Sequence, residues 1–240
     1  SAKEQAQFDY NGKSTQSPFY RFFKDRDYFG ASKSLHDKLT ERSDPRDAIF
    51  FTPYPGTEGL EFAPNGSPKQ AQKFYSISAI STITAPTYLM SYHEVEFLKA
   101  EAEVRLNGGV ANANSENALK AGVVAAMQKV NIDLDEDDAE DYFDDYVLAL
   151  FNAKPLEEVM NQKYIAFYEE EAVEAYNDYR RLVAMGDNVI ELKNPKNATL
   201  FPHRFSYGAS DVTTNVNVRN AYGDGNYVYT EKVWWAGGTR

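Results

Sequence analysis

Cysteine is absent from the 240 residues of this chain, which excludes disulfides, thiolate zinc sites and cysteine nucleophiles within it. Histidine is scarce. His36, His93 and His203 are scattered, with no pair four residues apart and no His–carboxylate signature, so nothing points to a metal or a histidine-based catalytic centre. No stretch approaches the ~18 consecutive apolar residues that a membrane-spanning helix needs. Basic charge is in deficit, and a formal net charge of −11 argues against nucleic acid, whose phosphates demand clustered Lys and Arg. The same deficit disfavours a flat anionic lipid surface as partner. There is no Gly-rich phosphate loop, and Gly208-Ala-Ser-Asp-Val lacks the second glycine of a nucleophile elbow. The start, Ser1-Ala-Lys-Glu-Gln, has the form of neither a signal peptide nor an initiator and reads as an internal or processed beginning.

What is present is a hydrophobic share of 42%, enough for one substantial core or two modest ones. The stretch from Tyr88 to Leu106 predicts a helix entered after Pro86 and left through Asn107-Gly108-Gly109. At 100° per residue, Tyr92, Val95, Leu98, Ala102 and Leu106 share one face, and His93, Phe97, Ala100 and Val104 the nearly opposite one. Two apolar stripes predict packed neighbours on both sides, as in an α-solenoid. A second helix, capped by Asn114 or Ser115 and running to about Val130, carries Leu119, Val123, Ala126 and Val130. Beside them lie the small residues Ala118, Ala121, Gly122 and Ala125, which allow close helix approach. Together the two form a tetratricopeptide-like hairpin with a long turn. Further helices are predicted through Ala139–Leu150, from Pro155 to Phe167, and from Ala172 to Met185-Gly186, with a break at Glu169-Glu170-Glu171. Two hairpins are fewer than a solenoid needs to bury its ends, so their missing partner is expected in further sequence or in irregular segments folding over the stack.

Residues 1–85 and 187–240 are irregular by comparison. One short helix is expected after Ser32, with Leu35 and Leu39 on one face, ended by Ser43-Asp44-Pro45. Gly223 to Thr230 is read as a short strand or turn, and Trp234-Trp235 as docked. The acidic run Asp133–Asp145 places Asp133, Asp135, Asp137, Asp141 and Asp144 at calcium-loop positions. Asp138, however, stands where the sharp turn wants glycine, and the last ligand position is an Asp with a short reach. Carboxylates serving a helix N-terminus are the simpler reading, so no metal and no cofactor is assigned. With 36 acidic residues, carboxylate pairs are too numerous to single out a catalytic one.

Aromatic residues in the loop-rich first third are the better candidates for ligand contact. Sugar rings present C–H faces that stack on aromatic planes, which singles out Phe19, Tyr20, Tyr28, Phe29 and Tyr54. The competing reading is that these rings are core in a region poor in Leu and Ile.

Four ordered motifs carry a resemblance. Pro86-Thr-Tyr-Leu-Met-Ser-Tyr-His-Glu-Val-Glu-Phe-Leu-Lys-Ala-Glu-Ala102 closely resembles the helix shared by SusD/RagB-like proteins, the outer-membrane nutrient-binding lipoproteins of Bacteroidetes. In the same order follow Gln162-Lys-Tyr-Ile-Ala166 with Glu174-Ala-Tyr-Asn-Asp-Tyr-Arg-Arg181, then Pro202-His-Arg-Phe-Ser-Tyr207 with Ser210-Asp211 and Asn215, and Lys232-Val-Trp-Trp235. Phe19 to Asp47 is similar to the segment preceding the first helix in the starch-binding branch. The resemblance implies a mainly α fold, an α-α superhelix of tetratricopeptide-like hairpins with long irregular loops. It implies one SusD-like domain over 1–240, N-terminally incomplete. Within it, 1–85 is a loop-rich ligand face, 86–186 the helical scaffold and 187–240 an irregular cap. Such proteins are twice this length and reach the cell surface through an N-terminal lipidated cysteine. They work beside a SusC-like TonB-dependent transporter. The implied function is non-catalytic capture of a glycan or oligosaccharide; a peptide-capturing relative, an α-helical glycoside hydrolase or lyase, and a tetratricopeptide protein scaffold are the alternatives.

Overall fold

The computed structural model describes residues 2–26, 29–66, 73–130, 135–190 and 202–238. Proline and glycine punctuation in the first third allows only short elements: strand β1 (Ala6–Phe8), helices α1 (Pro18–Asp25), α2 (Lys33–Thr40) and α3 (Asp47–Phe50), and strands β2 (Phe51–Thr52), β3 (Ile77–Ser78) and β4 (Thr87–Met90). The long helices follow, α4 (Tyr92–Leu106) and α5 (Ala113–Val130). Next, α6 (Glu136–Tyr142) passes through a π turn at Phe143–Val147 into α7 (Leu148–Ala153). After these come α8 (Pro155–Ala166), α9 (Ala172–Met185), α10 (Ala209–Thr214), α11 (Val216–Tyr222) and α12 (Tyr227–Thr230). The fold is mainly α, and the chain divides into two compact units, Ser1–Leu192 and Lys193–Arg240.

The central helix starts later than its periodicity suggests. Thr87–Met90 pairs antiparallel with Ala6–Phe8, so the first residues expected in the helix are strand. The ladder supplies backbone partners that a helix would otherwise provide. Ser91 then caps α4, its Oγ accepting from the Glu94 N–H at 3.1 Å. The two stripes of α4 have different fates. His93, Phe97, Ala100 and Val104 are buried, whereas Val95 is 36% exposed, Leu98 41% and Leu106 84%. The expected two-sided clasp is therefore one-sided here, because α5 and α8 both pack on the same flank. Gly122 shows how closely α5 approaches: a Cβ there would lie 3.0 Å from the Phe97 ring. The α5 entry is capped by Asn112 rather than by Asn114 or Ser115. Ser115 N–H donates to Asn112 Oδ1 at 2.8 Å and Asn112 N–H to Ser115 Oγ at 2.9 Å.

Apolar side chains from α4, α5, the α6–α7 helix, α8 and α9 make the main core, with Phe97, Leu119, Met127, Phe143, Phe151 and Met160 at its centre. A second, smaller core joins Leu35, Leu39, Phe50 and Phe51 to Ile165 of α8. Through it the punctuated first third is seated on the helical stack. Buried ion pairs reinforce that joint. Arg42 donates to both oxygens of Glu158, at 3.0 and 2.8 Å. Arg46, fully buried, donates to Asp44 at 2.9 and 2.6 Å and to Gln162 at 2.9 Å, while the Tyr142 hydroxyl donates to Asp44 at 3.1 Å. A segment poor in Leu and Ile is thus anchored by paired charge as well as by apolar area, although Arg46 Nη1 has no hydrogen-bond partner among the described residues.

Where one helix was expected in residues 1–85, three α-helices occur among the described residues, none longer than eight residues. Ser32 sits at the N-cap position of α2, yet its side chain makes no cap; Asn65 Oδ1 accepts from the Ser34 N–H at 3.0 Å instead. In the second unit, Asn215 ends α10 and caps α11 by accepting from the N–H groups of Asn217 and Val218. The Gly223–Thr230 stretch is a turn followed by the single helical turn α12, not a strand. Tyr207 stacks on Tyr227 with centroids 5.2 Å apart. Trp234 is exposed rather than docked.

Candidate ligand-binding surface

Pro18 opens α1 at its first position, where the missing N–H costs nothing. Phe19, Phe22 and Phe23 then fall on one face at helical spacing. None of the residues of α1 is buried. The phenylalanine face instead gathers onto itself and Phe29: Phe19–Phe23 centroids lie 6.4 Å apart, Phe22–Phe29 4.9 Å and Phe23–Phe29 5.4 Å. Phe22 remains 50% exposed and Phe29 46%. Tyr20 occupies the neighbouring flank, with Lys24 Nζ 5.6 Å from its ring centre. Arg21 and Lys24 are exposed alongside.

Of the residues singled out for ligand contact, Phe19 and Phe29 belong to this cluster through Phe23, and Tyr20 borders it. Tyr54 is apart. It is half-buried at the start of a turn closed by Thr57, whose N–H and hydroxyl donate to the Tyr54 carbonyl, and no ring contact joins it to the cluster among the described residues. Tyr28 lies outside the described residues. Phe22 and Phe23 join the same cluster, at three and four residues from Phe19.

His36 and His93 serve packing, whereas His203 is exposed. His36 stacks on Phe62 at 3.8 Å and bonds Asp47 through Nδ1 at 2.8 Å. His93 is buried, which lowers its pKa, and its Nε2 is hydrogen-bonded to Glu171 at 2.6 Å. Burial alone would raise Glu171, but the bond from His93 and the charge of Lys129 hold it below the usual carboxylate range. In the acidic run, Asp135 caps α6 by accepting from the Asp138 N–H at 2.8 Å, and Asp144 pairs with Lys120 at 3.0 Å. Asp133 lies outside the described residues.

The first two motifs that carried the resemblance, on α4 and on α8 with α9, meet in space. Glu101 of α4 accepts from both Arg181 Nη atoms of α9 at 2.6 and 2.7 Å, and from Arg105 at 2.8 Å. Lys163 of α8 pairs with Asp178 of α9 at 2.8 Å. The family model described as starch-binding and associating with the outer membrane matches residues 1–208.

The chain belongs to the SusD-like family.

A SusD/RagB family protein of Bacteroides thetaiotaomicron VPI-5482 is 44% identical over 100% of this chain, with a TM-score of 0.83. A SusD homologue from Bacteroides fragilis NCTC 9343 shares the fold at 20% identity over 98% of the chain and a TM-score of 0.68. A chitin-binding protein does so at 22% identity over 98% of the chain and a TM-score of 0.65. The chain spans 57%, 58% and 56% of these three SusD-like or related structures. No curated protein matches it.

Proposed function

We propose that this SusD-like chain is the nutrient-contacting part of a non-catalytic, cell-surface glycan- or oligosaccharide-binding lipoprotein of the outer membrane. In this reading it is tethered by an N-terminal lipid and works beside a SusC-like TonB-dependent transporter. The observation that carries the reading is the phenylalanine face of α1. A helix of eight residues with no buried side chain wastes its apolar surface unless something flat and partly apolar covers it, and a sugar ring is such a surface. The family description points to starch, and the chitin-binding neighbour extends the range to other glycans. Residues 1–85 supply the contacts, Phe19, Tyr20, Tyr28, Phe29 and Tyr54 among them, while 86–186 hold them in place.

Calorimetry against a broad glycan panel tests this. One glycan is expected to bind, and Phe22→Ala with Phe29→Ala to weaken it by roughly tenfold or more, ~1.4 kcal/mol, with an unchanged melting temperature because both rings are half exposed. No binding across the panel sinks the glycan reading and brings peptide capture forward. Released sugars after long incubation with polysaccharide would overturn the non-catalytic assignment.

A further inference from the structure

Three Asn-Gly dipeptides occur in the chain, Asn11-Gly12, Asn65-Gly66 and Asn107-Gly108, and all three asparagines are exposed. Glycine has no side chain to shield its backbone nitrogen, so that nitrogen can reach the preceding Asn Cγ and close a five-membered imide. Three conditions favour the closure. The glycine N–H is not tied into another bond, donors on the Asn Oδ1 take up the charge that develops there, and the amide NH2 is free to leave.

The fold treats the three pairs differently. Gly12 N–H donates to the Thr15 carbonyl at 2.9 Å, and Gly108 N–H to the Arg105 carbonyl at 3.2 Å. Their asparagine amides are held as well. Asn11 Nδ2 donates to Ser14 Oγ at 2.9 Å, and Asn107 Nδ2 to the Val110 and Ala111 carbonyls at 2.9 and 3.4 Å. Gly66 N–H and Asn65 Nδ2 have no hydrogen-bond partner among the described residues. Asn65 Oδ1, by contrast, accepts from Ser32 Oγ and from the Ser34 N–H, each at 3.0 Å. Asn11 Oδ1 also accepts two N–H groups, from Lys13 and Thr15, but its nucleophile and its leaving group are both engaged. Backbone bonds keep the Asn65 carbonyl beside the start of α2: Lys33 N–H donates to the Ala63 carbonyl at 2.9 Å, and Ala63 N–H to the Ala31 carbonyl at 2.8 Å. Only Asn65-Gly66 meets all three conditions.

We propose that Asn65 is a modification site, where the fold itself promotes conversion of the amide to a carboxylate. Gly66 N attacks Asn65 Cγ while a solvent base takes its proton, and the Cγ=Oδ1 electron pair moves onto Oδ1, where Ser32 and Ser34 stabilise it. Collapse breaks the Cγ–Nδ2 bond, and Nδ2 takes up a proton and leaves as ammonia. Water then opens the imide, at Cγ to give an aspartyl link or at the backbone carbonyl carbon to give an isoaspartyl one. One water is consumed and one ammonia released, with no oxidant or cofactor. The isoaspartyl product inserts an extra methylene into the main chain beside the Ser34 N–H that Asn65 caps. This modification is independent of the glycan reading and of the α1 face.

Incubation of the whole chain at mildly alkaline pH, folded and in urea, followed by peptide mapping with isoaspartate detection, tests the proposal. In the folded chain position 65 is expected to convert roughly tenfold faster than positions 11 and 107, less than the ~10²–10³ of a donor in an enclosed oxyanion site. In urea the three should run level. Ser32→Ala, which removes the Oγ donor, should slow position 65 by roughly tenfold and leave the other two unchanged. Conversion at position 65 no faster than at 11 or 107 in the folded chain overturns the proposal. A lead that persists in urea also overturns it, since local sequence would then be the cause, as does an unchanged rate in folded Ser32→Ala. Should Ser32→Ala not fold, the comparison of folded with urea-unfolded chain decides alone.

Discussion

Single residues in this protein are often charged, buried and answered. His93, Glu171, Lys129 and Glu170 form one such group, with Lys129 Nζ 3.0 Å from Glu170 and 3.7 Å from Glu171. Glu169, next in the chain to Glu170, has no ion pair of its own among the described residues. Ser78 and Tyr168 bond it, Glu170 raises it and Lys129 only partly offsets the burial, leaving its pKa at about 7 against an ordinary 4.5. A carboxyl whose folded pKa lies above its unfolded value contributes stability that is complete below the unfolded value and is lost as pH rises through the folded one. Glu169 should therefore cost stability progressively between about pH 4.5 and 7, approaching ~3 kcal/mol at most. Urea midpoints at pH 5 and pH 8 check this: Glu169→Gln should remove most of the decline across that window. An equal decline in the variant would place its origin elsewhere.

At the scale of elements, the α4–α5 contact is set by one missing side chain. Gly122 lets the Phe97 ring lie against the α5 backbone, and both are buried. Gly122→Leu is expected to force these helices apart and to lower stability by about 2 kcal/mol or more, as overpacking does. Thermal melts read it, and a variant as stable as the parent would mean that Phe97 has another rotamer available. The motif carboxylates and cations of α4, α8 and α9 act at this scale too. Glu101, Lys163, Asp178 and Arg181 join helices rather than face a ligand, which is why the segments most recognisable as SusD-like say little about what is bound.

For the whole molecule, the consequential feature is the bare flank of α4. Val95, Leu98 and Leu106 expose large apolar side chains along this flank, and exposed apolar surface drives association. The isolated chain should self-associate with concentration. Leu98→Lys with Leu106→Lys should suppress this at an unchanged melting temperature. Light scattering against concentration checks it; scattering indifferent to the two substitutions would show that this flank is not the cause.

Helix existence and much of the helical core were legible in the amino-acid sequence, because a 3.6-residue period in 15- to 18-residue helices leaves little else for apolar side chains to do. Glycine and proline marked the ends, as Pro155 and Gly186 show. Tertiary structure alone decided which of two equal stripes on α4 is covered, since periodicity reports that a face is apolar and not what lies against it. It also decided that Tyr88 begins in a strand, a choice made by β1 from eighty residues away. The same holds for the surface proposed to meet the ligand. Phe19, Phe22, Phe23 and Phe29 were visible as aromatic residues, but whether rings are buried or turned to solvent depends on neighbours that no local pattern names.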